Sequence, residues 1–263
     1  GTGRGGPAKG RTSGNRTGGP DRSQRPSKGR GVGGEQVEGR QAVRELLLAG
    51  RRRVHEVVLA SDLDPAPIVD DIRELAAEER VPVRETSRGK LSALAATEAP
   101  QGVVAMASPL HESDLADLAR PDVDGRPPFL LGVDGVTDPG NLGALLRSAE
   151  GAGVTGVVLP RHRAVHITPT VAKAAQGAIE HLPIALVTGL PSGITELKGH
   201  GVWSVGLDAD GTASVFDLPL ATEPLVLVLG AEGRGLSRLV RQRCDVLASI
   251  PQQGRLSSLN VSA

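Results

Sequence analysis

The sequence predicts an α/β protein whose C-terminal half is built on a parallel sheet. Two observations carry this. Apolar stretches of strand length, such as FLLGV (129–133), GVVLP (156–160) and LVLVL (225–229), are near-continuous rather than alternating. That is expected of strands covered on both faces, and segments with helical spacing separate them. In addition, glycines and polar residues cluster directly after apolar runs in three places: DPGNLGALLRSAEGAG from Asp138 to Gly153, LVLGAEGRGL from Leu227 to Leu236, and PQQGRLSSLNVS from Pro251 to Ser262. Ligands of open α/β sheets bind just beyond the carboxyl ends of the strands, so these are the candidate functional segments.

At 263 residues, 39% hydrophobic and 23% charged, the chain is long enough for two modest domains with packed cores. No run approaches the roughly 20 apolar residues of a membrane span, and no apolar leader opens the chain, so a cytoplasmic protein is expected. The single cysteine, Cys244, excludes an internal disulfide and reads as a structural thiol. The formal charge of zero hides an asymmetry: residues 1–34 carry eight basic residues, from Arg4 to Arg30, against Asp21 alone. Such a Gly/Arg-rich segment cannot bury enough apolar surface to fold; it is either a polyanion-attracting tail or a solvated linker. With two Phe, one Trp and no Tyr, stacking of bases on an aromatic platform is not expected, and any RNA contact must use Arg, Lys and backbone.

Taken in order, VEGRQAVRELLLAG reads as a helix, with Val43, Leu46 and Leu47 at helical spacing, and HEVVLA as the strand after it. PIVDDIRELAAEERV is a second helix; a short strand is expected at Val81–Arg84, a helix near Lys90–Ala96 and a strand at QGVVAMAS. Residues 35–108 thus form one small α/β unit, and 109–128, rich in proline, reads as an interdomain linker with a short helix. From Phe129 the alternation is regular: strand at FLLGVDGV, helix at NLGALLRSAEGAG, strand at TGVVLP, helix at TPTVAKAAQGAIEH, strand at LPIALV, helix at GITELKGHG and strand at VWSVGLD. PLVLVLG, GLSRLVRQRCD and VLASIP add strand, helix and strand.

Several side chains in the three segments carry chemistry. Asn141 follows the Pro139-Gly140 turn signal and is expected to cap the next helix. Arg147 lies six residues on, about 240° around a regular helix, so the two converge only if Asn141 stands in the pre-helix turn; an ordinary cap plus an exposed arginine is the alternative. GAEGRG, Gly230 to Gly235, allows close backbone approach to a ligand at a helix start, yet it has neither Walker nor dinucleotide spacing. Glu232 there either pairs with a cation or is a solvated turn residue. Ser257, Ser258 and Asn260 offer hydroxyl and amide groups beside Leu259 and Val261, or simply start a helix. His162 and His166 lack companion ligands at zinc spacing, so no metal is expected.

Three motifs in this order, N-x-G-x-x-x-R at Asn141 to Arg147, L-G-A-E-G at Leu229 to Gly233 and S-L-N-V-S at Ser258 to Ser262, resemble the signature of the SpoU (TrmH/RlmB) family of S-adenosyl-L-methionine-dependent RNA ribose 2′-O-methyltransferases. EGRQAVRELLLAGRRRVHEVVLA resembles the start of that family's appended RNA-binding domain, which points to the ribosomal-RNA branch. The resemblance implies a C-terminal α/β trefoil-knot (SPOUT) domain over 129–263, a small N-terminal α/β/α RNA-binding domain, and a homodimer. It implies Asn141, Arg147, Glu232, Ser258 and Asn260 as the catalytic set, and Gly230, Ile250 and Leu259 as residues holding the methyl donor. It also implies 2′-O-methylation of 23S rRNA, of a guanosine in particular; the tRNA and antibiotic-resistance rRNA branches share these motifs, and a non-catalytic RNA-binding assembly protein is the reading from another class. The family continues past SLNVS into a helix, whereas this sequence runs from Gly1 to Ala263, so a trimmed chain is expected.

Overall fold

A computed structural model describes residue 1 and residues 32–161, 166–254 and 259–262. The basic segment falls almost entirely on 2–31, outside the described residues. The N-terminal unit runs β1 (Gln36–Glu38), α1 (Arg40–Ala49), β2 (Val54–Ala60), α2 (Pro67–Glu78), β3 (Val83–Thr86), α3 (Arg88–Leu94) and β4 (Val103–Ala107). Its sheet has the order β1-β4-β2-β3, with β4 antiparallel to both neighbours and β3 parallel to β2. Helix α1 buries Ala42, Val43, Leu46 and Leu47, a single stripe at helical spacing, against Val57, Leu59 and Ile72. Helix α2 starts on Pro67, whose fixed φ suits the first helical position. It ends with Arg80 N–H bonded to the Ala77 carbonyl and Val81 N–H to that of Ala76, a Schellman closure. That closure uses the Val81 amide, so β3 begins at Val83 rather than at the expected Val81.

The C-terminal unit comprises α4 (Leu115–Leu118), β5 (Phe129–Asp134), α5 (Pro139–Gly151), β6 (Gly156–Pro160), α6 (Pro169–Ala174), β7 (Ile184–Val187), α7 (Leu190–Gly199), β8 (Trp203–Leu207), β9 (Ala213–Ser214), β10 (Leu225–Gly230), α8 (Arg238–Arg243) and β11 (Val246–Ser249). Its seven strands, ordered β7-β6-β5-β10-β8-β11-β9, are all parallel. Helices α5 and α6 bury Leu142, Leu145, Leu146 and Val171 on one face. On the other, α7 and α8 bury Ile194, Leu197 and Val240. Coverage of both faces is why the strands read as unbroken apolar runs. Helix α4, inside the segment read as a linker, packs Leu115 and Leu118 into that second face, and Ser113 N–H bonds the Ile184 carbonyl at 2.8 Å.

The single helix expected over TPTVAKAAQGAIEH is broken. It stops at Ala174, Gln176 and Gly177 take φ of 50° and 92°, and a 3₁₀ turn follows at Ala178–Glu180. The break packs against the N-terminal unit: a Cβ on Gly177 would lie 2.3 Å from Cβ of Glu45 on α1. Next to it, Arg52 donates through Nε and Nη2 to the Glu180 carboxylate at 2.9 and 2.6 Å, and through Nη1 to the Gly34 and Ser108 carbonyls at 2.6 and 2.7 Å. The two side chains are only 6% and 1% exposed. Gly34 N–H also bonds the Ile167 carbonyl at 2.9 Å, so the two units are joined by backbone and by a buried ion pair.

Candidate functional site

Strands β5 and β10 are neighbours at the centre of the sheet and run in register from Leu225↔Phe129 to Gly230↔Asp134. After β5 the chain turns through α5 to β6 on one side; after β10 it turns through α8 to β11 on the other. The connections diverge at the carboxyl ends of this pair, which makes it the topological switch point, and the crevice at such a point is where open α/β sheets bind ligands.

The crevice walls are built locally. Asp138, not Asn141, is the helix cap: its Oδ1 accepts the Asn141 N–H at 2.7 Å, and Pro139 takes the first helical position. Asn141 is therefore inside α5, which frees its side chain to donate from Nδ2 to Glu232 Oε2 at 3.2 Å. The turn bearing Glu232 is closed by Gly235 N–H on the Ala231 carbonyl at 2.8 Å, with Gly233 and Gly235 at φ of 73° and 64°. Gly230 stands beneath this turn. A Cβ there would lie 2.1 Å from the Gly235 carbonyl carbon, so only glycine lets the turn fold back onto the strand end. Asp134, which the sequence reading passed over, accepts the Ser237 N–H at 2.6 Å and ties the start of α8 to β5. Its signal was a lone carboxylate closing an apolar strand.

The Arg147 side chain is exposed on α5 and makes no hydrogen bond or ion pair with another described residue. Six residues beyond Asn141, it leaves the helix on a different side. The chain end returns to this helix: Ser148 Oγ donates to the Ser262 carbonyl at 3.4 Å, and Val261 packs on the α5 core. Asn260 Oδ1 accepts from Ser262 N and Oγ at 2.9 and 2.7 Å, which folds residues 260–262 into a tight turn. Ser258, with 255–257, lies outside the described residues. The structure thus joins Asn141 to Glu232 and brings the segment containing Asn260 to the helix bearing Arg147, while Arg147 bonds neither Asn141 nor Glu232.

Two of the residues expected to hold the methyl donor expose apolar side chains. Ile250, just past β11, and Leu259 are 39% and 52% exposed, apolar surface not used by the core. Cys244 takes no part. It closes α8 against Gly206, and burial pushes its thiol up to about 11, so it is protonated at neutral pH.

Comparison with known proteins follows the same division. Residues 128–263 match the SpoU rRNA Methylase family, and residues 36–113 match the domain described as RNA 2′-O ribose methyltransferase substrate binding. The chain is 40% identical over 231 residues, covering 87% of it and 91% of the relative, to the 23S rRNA (guanosine-2′-O-)-methyltransferase RlmB of Pseudomonas putida. The AdoMet-bound rRNA methyltransferase of Sinorhizobium meliloti is similar in structure with a TM-score of 0.70 at 26% identity, covering 86% of this chain and 82% of that one. The SpoU methyltransferase AviRb of Streptomyces viridochromogenes gives 0.71 at 26% identity, covering 88% and 85%. The parallel sheet with its central crevice and the small appended unit are thus shared with enzymes that modify RNA, and the chain belongs to the SpoU rRNA methylase family, RNA 2′-O-methyltransferases of the SPOUT class.

Proposed function

We propose that this chain methylates a ribose 2′-hydroxyl of 23S rRNA, a guanosine in particular, with S-adenosyl-L-methionine as donor. The observation that carries the reading is the Asn141–Glu232 hydrogen bond, which joins the first two family motifs across the crevice between β5 and β10. The 40% identity to a 23S rRNA guanosine enzyme over most of both chains supports the substrate, and the AdoMet-bound neighbour supports the donor.

When bound, S-adenosyl-L-methionine supplies the activated methyl group. Gly230, Ile250 and Leu259 hold it, and Ser258 and Asn260 fix the donor or the target ribose. Asn141 and Glu232 brace the 231–235 turn against α5 and keep the crevice wall rigid, which favours a fixed approach of the reacting groups. Arg147 clamps the adjacent phosphate and hydrogen-bonds the hydroxyl oxygen, whose proton passes to solvent water as the methyl group is transferred; a protonated guanidinium has donors only and cannot serve as the base. Residues 35–108 bind the RNA, residues 129–263 carry the transfer, and the working form is a cytoplasmic homodimer.

The test is radiolabelled methyl transfer to unmodified 23S rRNA and tRNA transcripts by wild type and Arg147→Ala, with the modified position mapped. Transfer to 23S rRNA that is lost in the variant is expected. Transfer to tRNA alone would refute the substrate, and donor binding without transfer to either RNA would refute the activity.

A further inference from the structure

The α1–β2 connection and the end of α2 border a cleft of about 570 Å³, lined by Arg51, Arg53, His55, Glu79 and Arg80 among others. Four other arginines of the N-terminal unit have carboxylate partners, Arg44 with Asp71, Arg73 with Glu85, Arg84 with Glu56 and Arg88 with Asp62, while Arg40, on α1, bonds the Gln101 carbonyl instead. Arg51, Arg53 and Arg80 form no ion pair with a described carboxylate, although Glu79 lines the same cleft; Arg51 reaches only the Glu180 carbonyl, at 3.2 Å. All three are exposed. Like charges gathered in a concavity repel, and they focus a field that attracts an anion.

Arg80 adds a second mark. It holds φ of 55° in the Schellman closure of α2, where glycine is the usual occupant and an L side chain is strained. The residue that takes the left-handed conformation after α1 is a glycine, Gly50, at φ 56°. Backbone comfort therefore does not explain an arginine there. Between Arg51 and Arg53, Arg52 turns inward to Glu180, which anchors the cationic loop to the methyltransferase unit.

We propose that this cleft binds the phosphodiester backbone of the RNA substrate through Arg51, Arg53 and Arg80, and that Arg52 sets its position relative to the site of transfer. The proposal rests on the RNA-modifying reading above and names where that RNA docks. Guanidinium groups suit phosphate through paired N–H donors. No Phe, Tyr or Trp lines the cleft, so the contact positions the RNA and leaves its sequence unread.

The test measures binding of a labelled 23S rRNA transcript against salt concentration for wild type, R51A/R53A, R80G and the control R84A/R88A, which removes two cations that already have partners. R51A/R53A is expected to weaken binding on the order of 20-fold near 0.15 M salt, with the log–log salt slope falling by about 0.7–0.9 for each phosphate contact removed. R80G is expected to weaken RNA binding several-fold while raising the melting temperature, which a merely structural arginine would lower. Donor affinity, measured without RNA, stays at the wild-type level. Unchanged RNA binding in R51A/R53A, or an equal loss in R84A/R88A, would overturn the proposal. Binding is read without turnover, so a wild type that binds RNA but transfers no methyl group would sink the activity proposed above and leave the cleft separately decided.

Discussion

Replacing Glu180 with alanine strips a buried guanidinium of its counter-charge. Arg52 gives two of its N–H groups to that carboxylate and one nitrogen to the Gly34 and Ser108 carbonyls. In the variant the two carbonyls remain, but the charge stays buried without a partner, and breaking such a pair from one side costs about 3–5 kcal/mol. Against a typical stability of about 5–15 kcal/mol this is a large fraction; it corresponds to a urea midpoint lower by roughly 1–2 M. Equilibrium urea unfolding of wild type, E180A and R52M/E180L measures it. The double variant removes both charges and is expected to recover most of the loss, because a buried pair is rarely superior to apolar side chains of similar volume. A change in E180A below about 0.5 kcal/mol, the range of exposed pairs, would refute the reasoning and mean that water reaches Arg52.

Gly230→Ala should reduce donor affinity at least tenfold by calorimetry, since its Cβ would meet the Gly235 backbone at 2.1 Å and force the turn away from β10; wild-type affinity would show that the turn plays no part in the cradle. Cys244, raised to about 11 by burial, should resist iodoacetamide at pH 8 in the folded protein and react only as pH approaches 11 or on unfolding, whereas a rate at pH 8 like that of a free thiol would contradict its burial. For Asp245, burial pushes the carboxyl up, but hydrogen bonds from Lys198 and Ser204 outweigh this and hold it below its usual value. A carboxylate depressed in the folded state adds stability above its unfolded pKa, near 4, and the contribution is lost as pH falls through the folded value. Asp245→Asn should therefore be less stable than wild type at pH 7, with the gap narrowing below pH 4; a gap independent of pH would assign the effect to packing.

The sheet of the C-terminal unit was readable because double-sided burial writes itself into unbroken apolar strands, and α1 and α2 because each buries one stripe. β1 was not: Gln36–Glu38 has no strand pattern of its own and is extended by antiparallel pairing with β4. The break after α6 had a local sign in Gly177, which takes φ of 92°, while its close approach to Glu45 joins residues more than a hundred positions apart. At the site, the cap was misplaced by three residues although Asp138 before Pro139 is itself a helix-start signal. The pairing of Asn141 with Glu232 spans 91 positions and has no periodicity to betray it; motif resemblance brought the two into one set, and only the fold supplies the bond. Nothing in the run Arg51-Arg52-Arg53 tells which arginine turns inward, because that depends on the buried Glu180 of the other unit.

The central strand pair also sets a timetable. β5 and β10 lie side by side, yet about 90 residues separate them in the chain, with β6, β7, β8 and β9 made in between. At a synthesis rate of about 5–20 residues per second, β5 waits on the order of 5–20 s with one apolar edge unpaired before its partner emerges. The N-terminal unit, whose seven elements are complete by Ala107, can fold well before that. The crevice is therefore among the last features to assemble during synthesis, and chaperone protection of the nascent chain would matter most in the interval between the emergence of Asp134 and that of Leu225.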